Sequence, residues 1–258
     1  MNIFDIKGET EHVSEVNKPI GSIIIYTTAD ITELTDEKIN LQVQKNGNNL
    51  EITGGNVYLR DLVQVATMGQ DALGFNKTLE CKLQAMVELC NHGAIHLEDK
   101  DLIRIQLSDL NPENRYIIDG IEEPWTSNEV YKYEQKSMNT EHREMDFNTK
   151  SFDSCVFSND EKIYEVVLNF DNGHIAKYTP RELRAMGENL DPIAKVNIDG
   201  TVTSSFENNI QLPLKGIDMV TIRKNQGSIV NFLMRHDVTQ QYHAPVAHSQ
   251  NVKLVKHA

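Results

Sequence analysis

INLQVQKNGNNLEIT, residues 39–53, decides the class of fold. Ile39, Leu41 and Val43 alternate with Asn40, Gln42 and Gln44, the two-residue period of a strand with one face buried and the other wet. The Asn46-Gly47-Asn48-Asn49 that follows tolerates positive φ, and NLEIT (49–53) resumes the strand pattern. The stretch is therefore predicted to be a β-hairpin.

Outward from it lie more runs rich in Ile, Val, Leu and Tyr: SIIIYTT (22–28), LECKLQAMVEL (79–89), AIHL (94–97) and LIRIQL (102–107). One segment changes period. In NVYLRDLVQVATMG (56–69), Leu59, Leu62, Val63 and Ala66 recur at three- and four-residue steps, with Asn56 placed to cap the start and Gly69 to close the end. That is an amphipathic helix, and Leu59, Leu62 and Val63 are expected core contacts. A helix inserted among strands is expected to cover a sheet edge or face.

Strands resume in the second half as FDSCVF (152–157), IYEVVLNF (163–170), HIAKYT (174–179), IAKVNIDG (193–200), TVTSSF (201–206), IDMVTIRK (217–224), SIVNFLMRH (228–236) and NVKLVK (251–256). Asp171-Asn172-Gly173, Asp199-Gly200 and Asn225-Gln226-Gly227 separate them and read as hairpin turns. Thr179 to Gly187 reads as a short helix, with a Thr cap, Pro180 at its first position, Glu182 three beyond the cap and Gly187 at its end. The two halves look alike at low resolution: each opens with a strand that leads into a polar turn, Leu34-Thr35-Asp36-Glu37 in the first and Tyr178-Thr179-Pro180-Arg181 in the second, followed by an alternating strand and a hairpin. A duplication is the expectation. About eight short strands in about 100 to 120 residues is the size of a jelly-roll β-sandwich.

The expected organisation is an arm over 1–20, a first jelly-roll over 21–121, a connector over 122–151, and a second jelly-roll with a C-terminal tail over 152–258. Residues 122–152 lose the two-residue period and gain charge, with Trp125 at their start; a wandering strand or a short helix near 129–137 is expected there. The fold class is all-β, with one or two inserted helices.

Charge and motifs narrow the function. With 25 Lys+Arg against 38 Asp+Glu, the net charge is -13, and no basic run offers the face that direct nucleic-acid binding requires. Cys81, Cys90 and Cys155 form no CxxC pair and read as reduced buried thiols. The N-terminus carries acids where a signal peptide needs basic residues, which predicts synthesis in a cytosol. Ile23 to Tyr26, the longest apolar run, is far short of the roughly 20 residues of a membrane span. His92 and His96 stand four apart, but Gly93 between them breaks the helical face that such a ligand pair needs. His236, His243, His248 and His257 read as a solvated tail. Asp99, Asp101, Asp36 and Glu37 lie in turn-like segments. No phosphate-binding loop or nucleophile elbow occurs, so no catalytic or cofactor-binding residue is predicted and the chain is not expected to be an enzyme. Asp153, Asp160 and Glu161 have the oxygen chemistry for a structural calcium ion, without the EF-hand spacing.

ELTDEKINLQVQKNGNNLEITGGNVYLRDLVQVATMG (33–69) resembles the first domain of the major capsid proteins of membrane-containing tailless icosahedral phages of the corticovirus type: turn, alternating strand, polar hairpin and amphipathic helix follow in that order. Residues 124–150, with Pro124-Trp125 leading into a charged connector, resemble the interdomain segment of that family. The resemblance implies a double jelly-roll, and a homotrimer whose six sandwiches form a pseudo-hexagonal capsomer. It further implies an icosahedral shell around an internal membrane, with neighbouring capsomers and other capsid or vertex proteins as partners and the virion as location. Lys253 and Lys256 would touch the membrane surface only weakly. The alternatives are a minor vertex or spike protein, and a carbohydrate-binding sandwich module, for which 7% aromatic residues and a single Trp are lean.

Overall fold

The alternating segments become antiparallel strands because each can bury one face against a second sheet. The computed structural model describes residues 1–45, 48–68, 73–127, 129–158, 162–190, 194–196, 202–204 and 209–237. In chain order the first unit holds β1 (Asn2–Lys7), β2 (His12–Val16), β3 (Ile20–Thr27), β4 (Lys38–Lys45), β5 (Asn48–Glu51), β6 (Val57–Tyr58), α1 (Leu59–Ala66), β7 (Leu73–Asn76), β8 (Cys81–Glu88), β9 (Ala94–Ile95), β10 (Leu102–Ser108) and β11 (Arg115–Glu122). After β12 (Thr126–Ser127), the second holds β13 (Tyr133–Met138), β14 (Glu144–Asn148), β15 (Phe152–Ser158), β16 (Ile163–Phe170), β17 (Ile175–Tyr178), α2 (Pro180–Leu190), β18 (Ala194–Val196), β19 (Val202–Ser204), β20 (Asn209–Pro213), β21 (Ile217–Lys224) and β22 (Val230–His236).

The two units are wound identically. The first has sheets β1-β11-β3-β8-β7 and β2-β10-β4-β5; the second has β13-β22-β15-β20 and β14-β21-β16-β17. Taking the eight principal strands of each unit in chain order, one sheet runs first-eighth-third-sixth and the other second-seventh-fourth-fifth, in both units. That double Greek-key winding is a jelly-roll, and the chain is two of them.

Ile39, Leu41 and Val43 are fully buried while Asn40, Gln42 and Gln44 face outward, as their alternation requires. They join Ile25, Ile103, Ile105 and Ile118 in the first core. The second core centres on Phe232, whose ring centroid lies 4.8 Å from that of Phe147 and 5.5 Å from that of Phe157. Each such fully buried side chain contributes about 1.5–3 kcal/mol.

Several expectations are corrected. Residues 1–20 are not an arm: β1 pairs with β11 in one sheet and β2 with β10 in the other. Both are edge strands, so half of each stays wet and their polar sequences hid them. The connector is shorter than 122–151 and holds no helix at 129–137; β13 and β14 are edge strands of the second sandwich. Also unforeseen were β7, β11 and β20. The helix read at 56–69 begins at Leu59, because Val57 and Tyr58 pair with β4. Tyr58, not Asn56, stands at the cap position, and no side chain caps it; Gly69 lies outside the described residues. In α2 the capping box is present, the Thr179 amide donating to Glu182 Oε2 (2.7 Å) and the Glu182 amide to Thr179 Oγ1 (3.3 Å), but the helix runs past Gly187 to Leu190.

The predicted hairpins at 39–53 and around Asp171-Asn172-Gly173 are present as β4–β5 and β16–β17. Asn225-Gln226-Gly227 is not a hairpin turn: β21 and β22 belong to opposite sheets, and the turn arches between them. Asp199-Gly200 and the strand expected at 251–256 fall outside the described residues. The internal repeat is also placed differently. The turn at Leu34 lies between third and fourth principal strands, whereas Thr179 follows the fifth; the true counterparts are α1 and α2, both inserted between fifth and sixth.

Candidate functional site

The residues that act together are those that weld one jelly-roll to the other. α1 is enclosed on nearly every side: Leu59, Leu62, Val63, Val65 and Ala66 make a broad apolar face, and Asp61 and Gln64 on the opposite face are buried as well. A helix buried on both faces needs partners on both. It rests on β8 of its own sandwich and on β15 and β22 of the other. Val156 of β15 and Leu233 of β22 thereby join the first core across the domain boundary. Gln211 Nε2, from β20, donates to the Gln64 carbonyl at 3.5 Å, meeting one of the acceptors that the last turn of a helix leaves free.

The chain between sandwiches is pinned along the same seam. The Ala94 amide donates to the Trp125 carbonyl (3.0 Å), and β12 runs parallel to β9. The Tyr131 amide then donates to Leu89 O (2.9 Å) and the Tyr133 amide to Ile52 O (2.7 Å). Glycine is required where Trp125 crosses: Gly93 has φ +71, and a Cβ there would lie 2.6 Å from both Trp125 Cδ1 and its carbonyl oxygen. At the same end, Arg235 lies 5.0 Å from the Tyr131 ring centroid and bonds Asp153 Oδ1 at 2.9 Å. Burial works against the Arg235 charge, but the hydrogen bond and charge of Asp153 outweigh it and hold the guanidinium above its ordinary range. Burial pushes the Tyr133 phenol up as well. The seam is thus apolar at α1 and polar but neutralised at its rim.

The residues singled out from the sequence stay apart. His92 and His96 lie on an exposed loop, with His96 Nδ1 3.3 Å from Thr126 Oγ1. Asp99 is exposed, while Asp101 is buried and clasps its own turn, Oδ2 accepting from the Glu98 amide at 3.0 Å. Glu37 is buried beneath Tyr116, whose hydroxyl donates to its Oε1 at 3.1 Å. Burial first, and that carboxylate second, push the Tyr116 phenol up to about 12. His236 belongs to β22 rather than to a tail; His243, His248 and His257 lie outside the described residues. Asp153 is committed to Arg235, and Asp160 and Glu161 lie outside the described residues. Among the described residues no three His, Cys, Asp or Glu side chains converge as a metal site. The three cysteines are buried and free, and burial pushes the Cys90 thiol up to about 12.

A shallow depression of about 340 Å³ at one end of the second sandwich is lined by Asn148, Lys150, Asn169, Phe170, Asp218 and Met219. Lys150 and Asp218 pair within it at 3.0 Å, leaving it little net charge.

The seam residues Tyr131, Tyr133, Gln211, Leu233 and Arg235 were not foreseen. A signal existed: Val63, Val65 and Ala66 extend the apolar stripe of α1 beyond what one sheet can cover.

Compared with solved structures, the chain is similar to a protein of the Sulfolobus Turreted Icosahedral Virus, at 9% identity and a TM-score of 0.52, over 89% of this chain and 86% of that one. It is also similar to the major capsid protein P2 from Bacteriophage PM2 (9% identity, TM-score 0.47, 91% and 93% covered) and to the mavirus major capsid protein (8%, 0.30, 91% and 85%). The likeness is one of fold. No protein-family model and no curated protein sequence matches the chain.

Proposed function

We propose that the chain is a structural subunit of a virus shell: a major capsid protein whose copies join as trimers, the trimers tiling an icosahedral lattice around an internal membrane. The observation that carries the reading is the pair of identically wound jelly-rolls held at a fixed seam. Three such chains present six equivalent upright sandwiches, the near-hexagonal outline that close-packs on a shell. The whole-length likeness of fold to a protein of an icosahedral virus supports it. Neighbouring capsomers, vertex proteins and the membrane surface are the partners, and the assembled virion is the location.

The purified protein is expected to have the mass of a trimer by native mass spectrometry and to show hexagonal particles in negative-stain micrographs. In particles it should be among the most abundant proteins. A monomer at every concentration without capsomers would overturn the proposal, and clear glycan-array binding by such a monomer would favour a carbohydrate-binding module.

A further inference from the structure

α1 and α2 occupy the same topological place and share a local pattern, Leu59-Arg60-Asp61-Leu62 against Pro180-Arg181-Glu182-Leu183. Leu62 and Leu183 are both fully buried, and each helix leans on the sixth principal strand of its own sandwich, β8 or β20. Among the described residues α2 packs on β20, β16 and β17 of its own sandwich, whereas α1 also packs on the outer face of the other sandwich, at β15 and β22, with Gln211 of β20 bonded to it. On α2 the residues aligned with Gln64 and Val65 are Ala185, which is exposed, and Met186, which is 41% exposed.

The surface that α1 covers is a row across three paired strands: Leu233, Val156 and Gln211. On the equivalent strands of the first sandwich, Ile117, Tyr26 and Gln84 make one outward row and Asp119, Ile24 and Met86 the next. Tyr26 and Ile117, with Cys81, form a small buried apolar cluster under this outer face; Ile24 packs against it partly buried, and Met86, 36% exposed, is the open apolar part of the face. A glutamine stands at the sixth strand in both sandwiches. Gln84 Oε1 accepts from Asn76 Nδ2 at 2.9 Å, an arrangement that aims its amide group elsewhere. Charge fits too: Asp119 lies on this face, while α2 brings Arg181 and Arg184, and Arg184 Nε is buried without a hydrogen-bond partner.

We propose that α2 of one copy docks on the outer face of β3, β8 and β11 of a second copy, repeating between chains the contact that α1 makes within the chain. This rests on the capsid-subunit reading and names the surface by which copies join. Gln84 of one copy donates to the Ala185 carbonyl of the next, as Gln211 does to Gln64. The contact is heterologous, so each copy gives one helix and receives another, and the ring closes at three copies and six sandwiches.

The test uses the full chain. Gln84→Cys with Ala185→Cys, mildly oxidised, is expected to give covalent dimers and trimers on a non-reducing gel; the native cysteines are buried. Met86→Glu is expected to weaken the trimer by about tenfold or more, because it buries a charge at the contact, and Met186→Lys in the same chain to restore it. Val13→Glu, on the exposed edge strand β2 of the opposite sheet of the first sandwich, should leave it unchanged. Trimers that persist with no cross-link and no effect of Met86→Glu overturn this inference and leave the capsid reading standing. A wild-type protein that is monomeric throughout overturns both. If Met86→Glu proves misfolded by circular dichroism, the cysteine pair alone decides.

Discussion

At the end of β22 the His236 ring lies 4.3 Å from that of Phe152, and its Nε2 is 3.5 Å from Glu134 Oε2. Burial lowers its pKa below the ordinary 6.5; Glu134 opposes this, while Lys132 and Lys136 reinforce it. The native state thus holds fewer protons than the unfolded chain in the window just below 6.5. Stability is fully present above that window and declines as pH falls through it. Melting temperatures between about pH 7.5 and 5 should drop on the acid side, and His236→Gln should flatten that drop. From sequence alone this histidine looked like part of a solvated tail, since nothing local reports that Phe152 packs on it. The alternation of Ile39, Leu41 and Val43 was readable, because burial on one face imprints the period of the backbone itself.

Among elements, α1 has the most to lose from a single substitution. Leu62→Ala removes a fully buried side chain from a helix enclosed by both sandwiches and is expected to cost about 2–5 kcal/mol. Because the lost packing lies at the seam, calorimetry should also show the two sandwiches melting apart where the wild type melts as one. A single unsplit transition at the wild-type temperature would remove the seam from the account. Central strands announced themselves by apolar content. Edge strands did not: NIFDIK (2–7) and EMDFN (144–148) bury only part of their surface, so their composition resembles that of loops. The arch at Asn225-Gln226-Gly227 has hairpin chemistry, and its positive φ at Gly227 is real. Which sheet receives the next strand is nevertheless a matter of long-range pairing.

For the whole molecule, the charge of -13 is unevenly spread. Glu9, Glu11, Asp30, Glu33, Asp36, Asp109 and Glu113 gather where the β1–β2, β3–β4 and β10–β11 connections meet, at one end of the first sandwich. On the proposed assembly, repulsion between such ends would oppose close packing of capsomers. Because the screening length falls from about 10 Å at 0.1 M salt to about 3 Å at 1 M, lattice formation followed by light scattering should begin sooner as salt rises. A fall in scattering with salt would mean that attraction between opposite charges joins the capsomers instead. The sequence by itself determined that the chain is all-β, sandwich-sized twice over and interrupted by helices, since side-chain period and turn chemistry are local properties. Only the tertiary structure decided that residues 1–20 belong to the sheets, that α1 and α2 are the true counterparts, and that α1 welds the sandwiches. Those facts depend on contacts between residues far apart in the chain, such as Gln64 and Gln211, 147 positions apart, and no local pattern encodes which distant strand will cover an apolar face.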